Sequence, residues 1–492
     1  MTLFASNAKS AREFPSELTR RQLFRAGSLS LAPLALTALD GLSANAEGSG
    51  ESREAASGGA MPPGKPHFAA RAKSVIFLCQ IGGPSQIDLF EDKPELARRD
   101  GEPLPDSLLK QVTFAQIQEK KPSLMGSPWK VRQHGESGTI VCDLLPHTAS
   151  IVDQISLVRT CRTDDTNHMF AELMLNTGWR RFGRPSLGSW VVYGLGSESQ
   201  QLPAFMVLRS GMRPRSKSAN YGNGFLPSTF QGTPLRTTGD PILNLTSPPG
   251  FTQERQRESI DAVNALNQLR YEKTGDDEIA ARIAAYETAF RMQTAATEWL
   301  DLNGETKQTL ADYGIDDPAK PSYARNCLLA RRLVERGVRF VQLFHGDWDH
   351  HSNIKAGLPD QCRRTDQPSA ELVRDLARRG LLDDTLVIWG GELGRTSVAQ
   401  KSDKKDVPSG RDHQIEAFTM WFAGGGVKPG QTIGETNDLG CLPVTDSWHV
   451  YDIQATILHL LGLDHTRLTS RHQGRDFRLT DVHGTVRHDL FA

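Results

Sequence analysis

A chain of 492 residues, 38% of them hydrophobic, is long enough to bury a large core in one or two domains. Its formal net charge of -1 gives no general electrostatic case for nucleic acid or a membrane surface as partner. Six cysteines, at positions 79, 142, 161, 327, 362 and 441, show no C-x-x-C spacing, so a zinc ribbon is excluded and any disulfide pairing is left open.

The N-terminus carries Thr19-Arg20-Arg21-Gln22-Leu23-Phe24-Arg25, a twin-arginine pattern, and an apolar stretch over residues 26–39 broken at Pro33. Ala44-Asn45-Ala46 then supplies the small residues of a cleavage site. The apolar part is too short to span a bilayer, so residues 1–46 are expected to be a signal peptide of the twin-arginine type, with a periplasmic or extracellular product. Residues 47–72, rich in Gly, Ser, Ala and Pro, are expected to be a flexible linker before one folded region over residues 73–492. No later stretch approaches membrane length, so no membrane span is expected in the mature protein.

The folded region opens with a buried strand over residues 74–80, which runs into the turn Gly82-Gly83-Pro84-Ser85-Gln86-Ile87-Asp88. Gly82 and Gly83 permit either a close backbone approach to a ligand or simply a tight turn. Residues 91–140, rich in Pro, Gly and Lys, read as an irregular excursion. A helix over 144–153, a strand over 155–159 and the polar segment Thr163-Asp164-Asp165-Thr166-Asn167-His168 follow. That segment enters a helix over 169–177 ended by Gly178, with Thr166 as N-cap candidate. A strand is expected over 204–208, a helical insertion over 252–303, a helix over 323–336 and a strand over 338–344. Beyond these come a helix over 370–379, strands over 385–389 and 417–422, and a closing helix over 450–461. Such alternation indicates a mainly parallel sheet covered on both faces.

Polar groups recur at the strand ends: Ser85 and Asp88; Thr166 and His168; Asp347, Asp349 and His351; Glu392 with His413. The densest is Phe344-His345-Gly346-Asp347-Trp348-Asp349-His350-His351-Ser352-Asn353, on the loop leaving the 338–344 strand. The carboxyl edge of an open α/β sheet is where ligands bind. Carboxylate oxygens with imidazole nitrogens suit a zinc-like divalent ion. Any one of these histidines taken alone is better explained by a solvated polar loop. As a group they make Asp347, Asp349, His351, Glu392 and His413 the metal-ligand candidates, with Asp88 and His168 as weaker additions. Asp347 and Asp349 are not expected to ligate together. Thr166 and Ser85 are the nucleophile candidates, and Arg395 and Arg411 the candidates for holding anionic oxygens.

The passage over 145–178 resembles the early segment of sulfatases and other alkaline-phosphatase-like enzymes, where a nucleophile loop leads into a helix ending Thr-Gly. Asp347 to His351 is similar to the D-x-x-x-H metal motif of that superfamily, and His413 to its late metal histidine. The whole chain more closely resembles an exported bacterial family known as domain of unknown function 1501. That likeness is carried by Gly82-Gly83-Pro84-Ser85, Trp348-Asp349-His350-His351, Gly391-Glu392-Leu393-Gly394-Arg395-Thr396, Gly410-Arg411-Asp412-His413 and Gly474-Arg475-Asp476-Phe477-Arg478-Leu479. It implies an alkaline-phosphatase-like three-layer α/β/α fold with a mostly parallel sheet and a helical insertion. It implies also a divalent ion (zinc, calcium or manganese) and hydrolysis of a small-molecule or glycan phosphate or sulfate ester. Gln80 stands where the superfamily usually has a metal-binding Asp, and Gly391-Glu392 where it has Asp-His. Cys161 is followed by Arg-Thr-Asp, which is not the formylglycine signature of sulfatases. The other function consistent with these departures is an exported binding protein that keeps the fold without catalysis.

Replacing Arg20 and Arg21 together with Lys should abolish export, and N-terminal sequencing of the exported protein should begin near Glu47. An exported chain that keeps Met1 contradicts the signal-peptide assignment.

Overall fold

The computed structural model describes residues 64–235, 252–402 and 406–491. The twin-arginine segment and most of the linker lie outside the described residues. Strands, in chain order, are β1 (Ser74–Gln80), β2 (Val131–His134), β3 (Thr139–Cys142), β4 (Ile155–Arg162), β5 (Phe205–Ser210), β6 (Thr233–Pro234), β7 (Phe340–His345), β8 (Thr385–Gly390), β9 (Gly394–Gln400), β10 (Gly410–Gln414), β11 (Phe418–Ala423), β12 (Gln431–Ile433), β13 (Trp448–His449), β14 (Ser470–His472) and β15 (Arg475–Phe477). The longer helices are α1 (His168–Thr177), α2 (Leu187–Leu195), α3 (Gln253–Thr274), α4 (Asp277–Leu300), α5 (Tyr323–Glu335), α6 (Ile354–Arg378) and α7 (Val450–Leu460).

The central sheet runs β12-β4-β11-β8-β1-β7-β5-β6, with β13 also on β4. All its pairings are parallel except those of β11, which is antiparallel to both β4 and β8. Because side chains alternate along a strand, each strand feeds two cores. Ile76 and Leu78 of β1, with Val341 and Leu343 of β7, pack under α5 and α6. Val75, Phe77 and Cys79, with Phe340 and Phe344, pack under α1, α2 and α7. The result is a three-layer α/β/α fold with a mostly parallel sheet. Among the described residues, no helix is long and apolar enough to cross a membrane.

Several elements differ from the expectation in extent. The 370–379 helix is the end of the 25-residue α6, which continues through Pro359 and Pro368. Its buried Leu358, Cys362, Thr365 and Ser369 keep one face on the core, so tertiary packing outweighs the proline boundary. The insertion is a pair of helices, α3 and α4, within the expected range. The 91–140 excursion holds two short helices and, with its C-terminal flank, the β2–β3 hairpin. The first helix of 144–153 shrinks to Pro146–Ala149, followed by a 3-10 turn.

The chain after β8 turns back as the β9–β10 hairpin, where no strand was expected. Its residues Arg395, Thr396, Ser397, Arg411, Asp412, His413 and Gln414 are buried although polar, so no apolar alternation marks it. The hairpin sits at the carboxyl edge of the parallel strands, where β1, β4, β7 and β8 all deliver their following loops. All six cysteines are free and buried.

Candidate metal centre

Three segments meet at that edge. His168 is the first residue of α1 and follows β4 after a short polar loop; its N-cap is Asn167, whose side chain accepts from the Met169 N–H, and not Thr166. Asp349 and His351 come from the loop after β7, and His413 from β10. Among the described residues, the ligand atoms of His168, Asp349, His351 and His413 all lie within 4.8 Å of one another.

Asp349 Oδ1 is the hub. It lies 3.1 Å from His168 Nε2, 2.9 Å from His351 Nε2 and 3.4 Å from His413 Nε2. The Arg395 guanidinium adds a bond of 2.7 Å to the same oxygen. The far side of each ring is pinned by an acceptor. His168 Nδ1 donates to Glu392 Oε1 (2.5 Å), His351 Nδ1 to Gln400 Oε1 (2.5 Å) and His413 Nδ1 to the Thr166 carbonyl (2.5 Å). With the Nδ1 proton committed, each ring turns Nε2 towards Asp349, as a bare lone pair wherever the imidazole is neutral. This is the way ligating histidines are oriented by the groups behind them.

Lone pairs facing a carboxylate oxygen repel unless a proton or a cation lies between. Burial pushes His168 down, but the Asp349 and Glu392 carboxylates outweigh it and hold the imidazole up at about 9. His413 goes the other way: burial, with the Arg395 charge nearby, lowers it to about 4 although Asp349 opposes. Asp349 itself is held far below the usual carboxylate range: burial would raise it, but the three adjoining imidazoles and the Arg395 charge outweigh that. His168 Nε2 is buried and, despite its closeness to Asp349, makes no well-aligned hydrogen bond. A misaligned buried nitrogen, two more imidazoles and a carboxylate at one point fit a divalent ion of the zinc kind.

Glu392 stands behind the cluster. Its side chain is fully buried, and Oε1 also accepts from the Gly82 N–H at 2.9 Å. Gly82 has φ +109, and a Cβ there would meet the Asp349 nitrogen at 2.7 Å. The glycine turn after β1 therefore serves the close approach of the Trp348–Asp349 backbone. Gln80 is committed as well: it accepts from Trp348 Nε1 (3.0 Å) and donates to the Tyr323 hydroxyl (3.0 Å).

The other candidate residues fall elsewhere. Asp347 has φ +83 and lies against Gly211, outside the four-residue group. Asp88 and Arg411 form a fully buried pair (2.8 and 2.9 Å), and Ser85 donates its hydroxyl to the same Asp88 carboxylate at 2.6 Å. Arg395 is buried too, with Nε on the Gly83 carbonyl (3.0 Å) and Nη1 on the Arg411 carbonyl (3.0 Å). The register irregularity between Arg411 and His413 breaks the strand alternation. Arg411 thus turns to Asp88 while His413 turns to Asp349.

A family model described as protein of unknown function (DUF1501) matches residues 72–491. The chain belongs to this family. No curated protein matches the sequence. Among solved structures, this DUF1501 chain is similar to a protein in the alkaline phosphatase superfamily from Vibrio parahaemolyticus, at 11% identity over 87% of this chain and 75% of that one, TM-score 0.33. It is similar also to the lipoteichoic acid synthase LtaP from Listeria monocytogenes, at 9% identity over 86% and 77%, TM-score 0.35. A third is alkaline phosphatase from the Antarctic bacterium TAB5, at 11% identity over 80% and 99%, TM-score 0.31. Likeness at this level carries no weight for the chemistry, which stands on the geometry above.

Two groups that shape the centre were not expected from the sequence. Gln400 and Gln116 flank His351, with Gln116 Nε2 3.2 Å from His351 Nε2 and Gln400 donating to Gln116 at 2.9 Å. Arg215 reaches Asp349 Oδ2 at 2.8 Å from the loop after β5. Neither residue type stands out in sequence, because their partners are hundreds of positions away or on other elements.

Removing one partner of the Asp88–Arg411 pair leaves a buried charge uncompensated. Asp88→Ala should therefore lower the unfolding free energy by about 3–5 kcal/mol in a denaturant titration. A loss below about 1 kcal/mol, the range of exposed pairs, contradicts the buried pairing.

Proposed function

We propose that this protein is an exported hydrolase of phosphate or sulfate esters, of the alkaline-phosphatase and sulfatase kind, that works with a divalent ion. The observation that carries the reading is the convergence of three oriented imidazoles and Asp349 at the carboxyl edge of a parallel sheet. His168, His351, His413 and Asp349 would hold the ion. The imidazole-rich donor set favours zinc or a related transition ion over calcium, which takes oxygen ligands. A bound ion of this kind supplies Lewis acidity towards an ester oxygen.

The remaining work falls to the chain. Glu392 fixes the His168 ring and its tautomer. Arg395, threaded through three backbone carbonyls, holds Asp349 in place. Thr166 is the nucleophile this reading keeps. Its carbonyl touches His413, and it lies two residues before the first residue of α1, where free N–H groups favour a developing negative charge. Ser85 is set aside because its hydroxyl is taken by buried Asp88.

A second reading is favoured by one observation. Gln80, at the end of β1, is neutral and bonded to Trp348 and Tyr323, so the strand contributes no charged ligand. An exported protein that binds an ion or an anion without turnover fits that simpler site.

Protein stripped with a chelator should lose hydrolysis of aryl phosphates or sulfates and regain it on adding zinc. His351→Ala and His413→Ala should each reduce bound metal at least about tenfold, as losses around a metal site do. Thr166→Ala should keep the metal and lose turnover. Metal-loaded protein inert across phosphate monoesters, phosphodiesters and sulfate esters would instead establish the binding reading.

A further inference from the structure

The two arginines that the sequence offers for an anionic substrate are enclosed. The side chains of Arg395 and Arg411 are 1% and 0% exposed, and both are spent on backbone carbonyls and on Asp349 or Asp88. An ester whose oxyanion faces the cluster needs a cation that solvent can reach. Arg215 has that character. Its side chain is 47% exposed and gives one Nη2 bond, 2.8 Å, to Asp349 Oδ2. This is the oxygen of Asp349 that faces away from the histidines' hub.

The backbone that carries Arg215 is fixed from below. The N–H groups of Arg215 and Ser216 donate to Glu172 Oε1 and Oε2, each at 3.0 Å, and Asn220 Nδ2 adds a bond of 2.9 Å. The Ser216 hydroxyl donates to the Met169 carbonyl at 2.6 Å. Glu172 is fully buried and lies four residues after His168, one turn along α1. One helix thus presents a candidate ligand and anchors the loop that presents the guanidinium. Pro214 and Ser216 are buried on either side of Arg215, so the backbone is held while the Arg215 side chain stays exposed.

We propose that Arg215 is the substrate-binding cation of this site. Its planar fork takes two non-bridging oxygens of a phosphate or sulfate group while Asp349 Oδ2 sets its orientation. The proposal rests on the ester reading above and adds to it the residue that recognises the tetrahedral oxyanion. Glu172 is then a positioning residue, which acts through the Arg215 backbone and not on the substrate.

The test uses full-length mature protein loaded with zinc, with inorganic phosphate and inorganic sulfate as separate calorimetric probes and metal content measured in parallel. Arg215→Ala should keep its zinc and bind the preferred anion roughly 10- to 100-fold more weakly, the range of a lost charge-assisted contact. Arg215→Lys should restore part of that loss, and Arg213→Ala, an exposed arginine two residues away, should bind as wild type does. In kinetics Arg215→Ala should raise KM more than it lowers kcat. The anion bound more tightly by wild type distinguishes a phosphate from a sulfate group. Unchanged anion binding in Arg215→Ala overturns the proposal while leaving the hydrolase reading intact. Loss of zinc in that variant also overturns it, by making Arg215 a prop for Asp349. Zinc-loaded wild type that binds neither anion and turns over no ester defeats both readings together.

Discussion

One carboxylate oxygen, Oδ1 of Asp349, holds the centre together. Three imidazole nitrogens and a guanidinium surround it at 2.7 to 3.4 Å. No set of neutral histidines settles around a carboxylate in that way without extra positive charge. The Arg395 cation supplies some of it, and the raised His168 supplies a proton. Binding of a divalent ion would replace that proton, so metal uptake is linked to proton release at His168. The arrangement is costly to bury and is kept in place by the residues behind it, Glu392, Gln400 and the Thr166 carbonyl.

The fold supplies this point by topology. β4, β8, β1 and β7 end at one edge with β11 running back between β4 and β8. Loops from β4 and β7 would be far apart along the sheet, yet His168 and Asp349 come within 3.1 Å. The intervening hairpin β9–β10 bridges them with Arg395 and His413. Asp412, at the hairpin's irregular position, accepts from the N–H groups of Ala115, Gln116 and Ile117 and so ties the 91–140 excursion to the rim. That tie brings Gln116 to His351.

The sheet was legible in sequence because its strands are short, apolar and bounded by glycine and polar loops. Ser74–Gln80, Thr385–Gly390 and Phe418–Ala423 fall within a residue or two of their expected limits. The candidate ligands were legible as a set of polar groups at strand ends. Which of them meet was not. Asp347 and Asp349 differ by two positions, and only the left-handed backbone at Asp347 turns one away from the cluster. Asp88 and Arg411 read as site residues because charge at a strand end looks alike whether it faces a ligand or a buried partner. Arg215 was invisible for the opposite reason: its place depends on Glu172, a buried acid inside a helix that reads as ordinary core.

His168, Asp349, His351 and His413 are placed to hold one metal ion. A crystal structure of zinc-saturated protein with anomalous scattering at the zinc edge tests it most directly. One ion is expected about 2.0–2.2 Å from the Nε2 atoms of His168, His351 and His413 and from a carboxylate oxygen of Asp349. An ion bound at other residues, or a saturated protein whose three imidazoles still close on Asp349 with no ion among them, would contradict it.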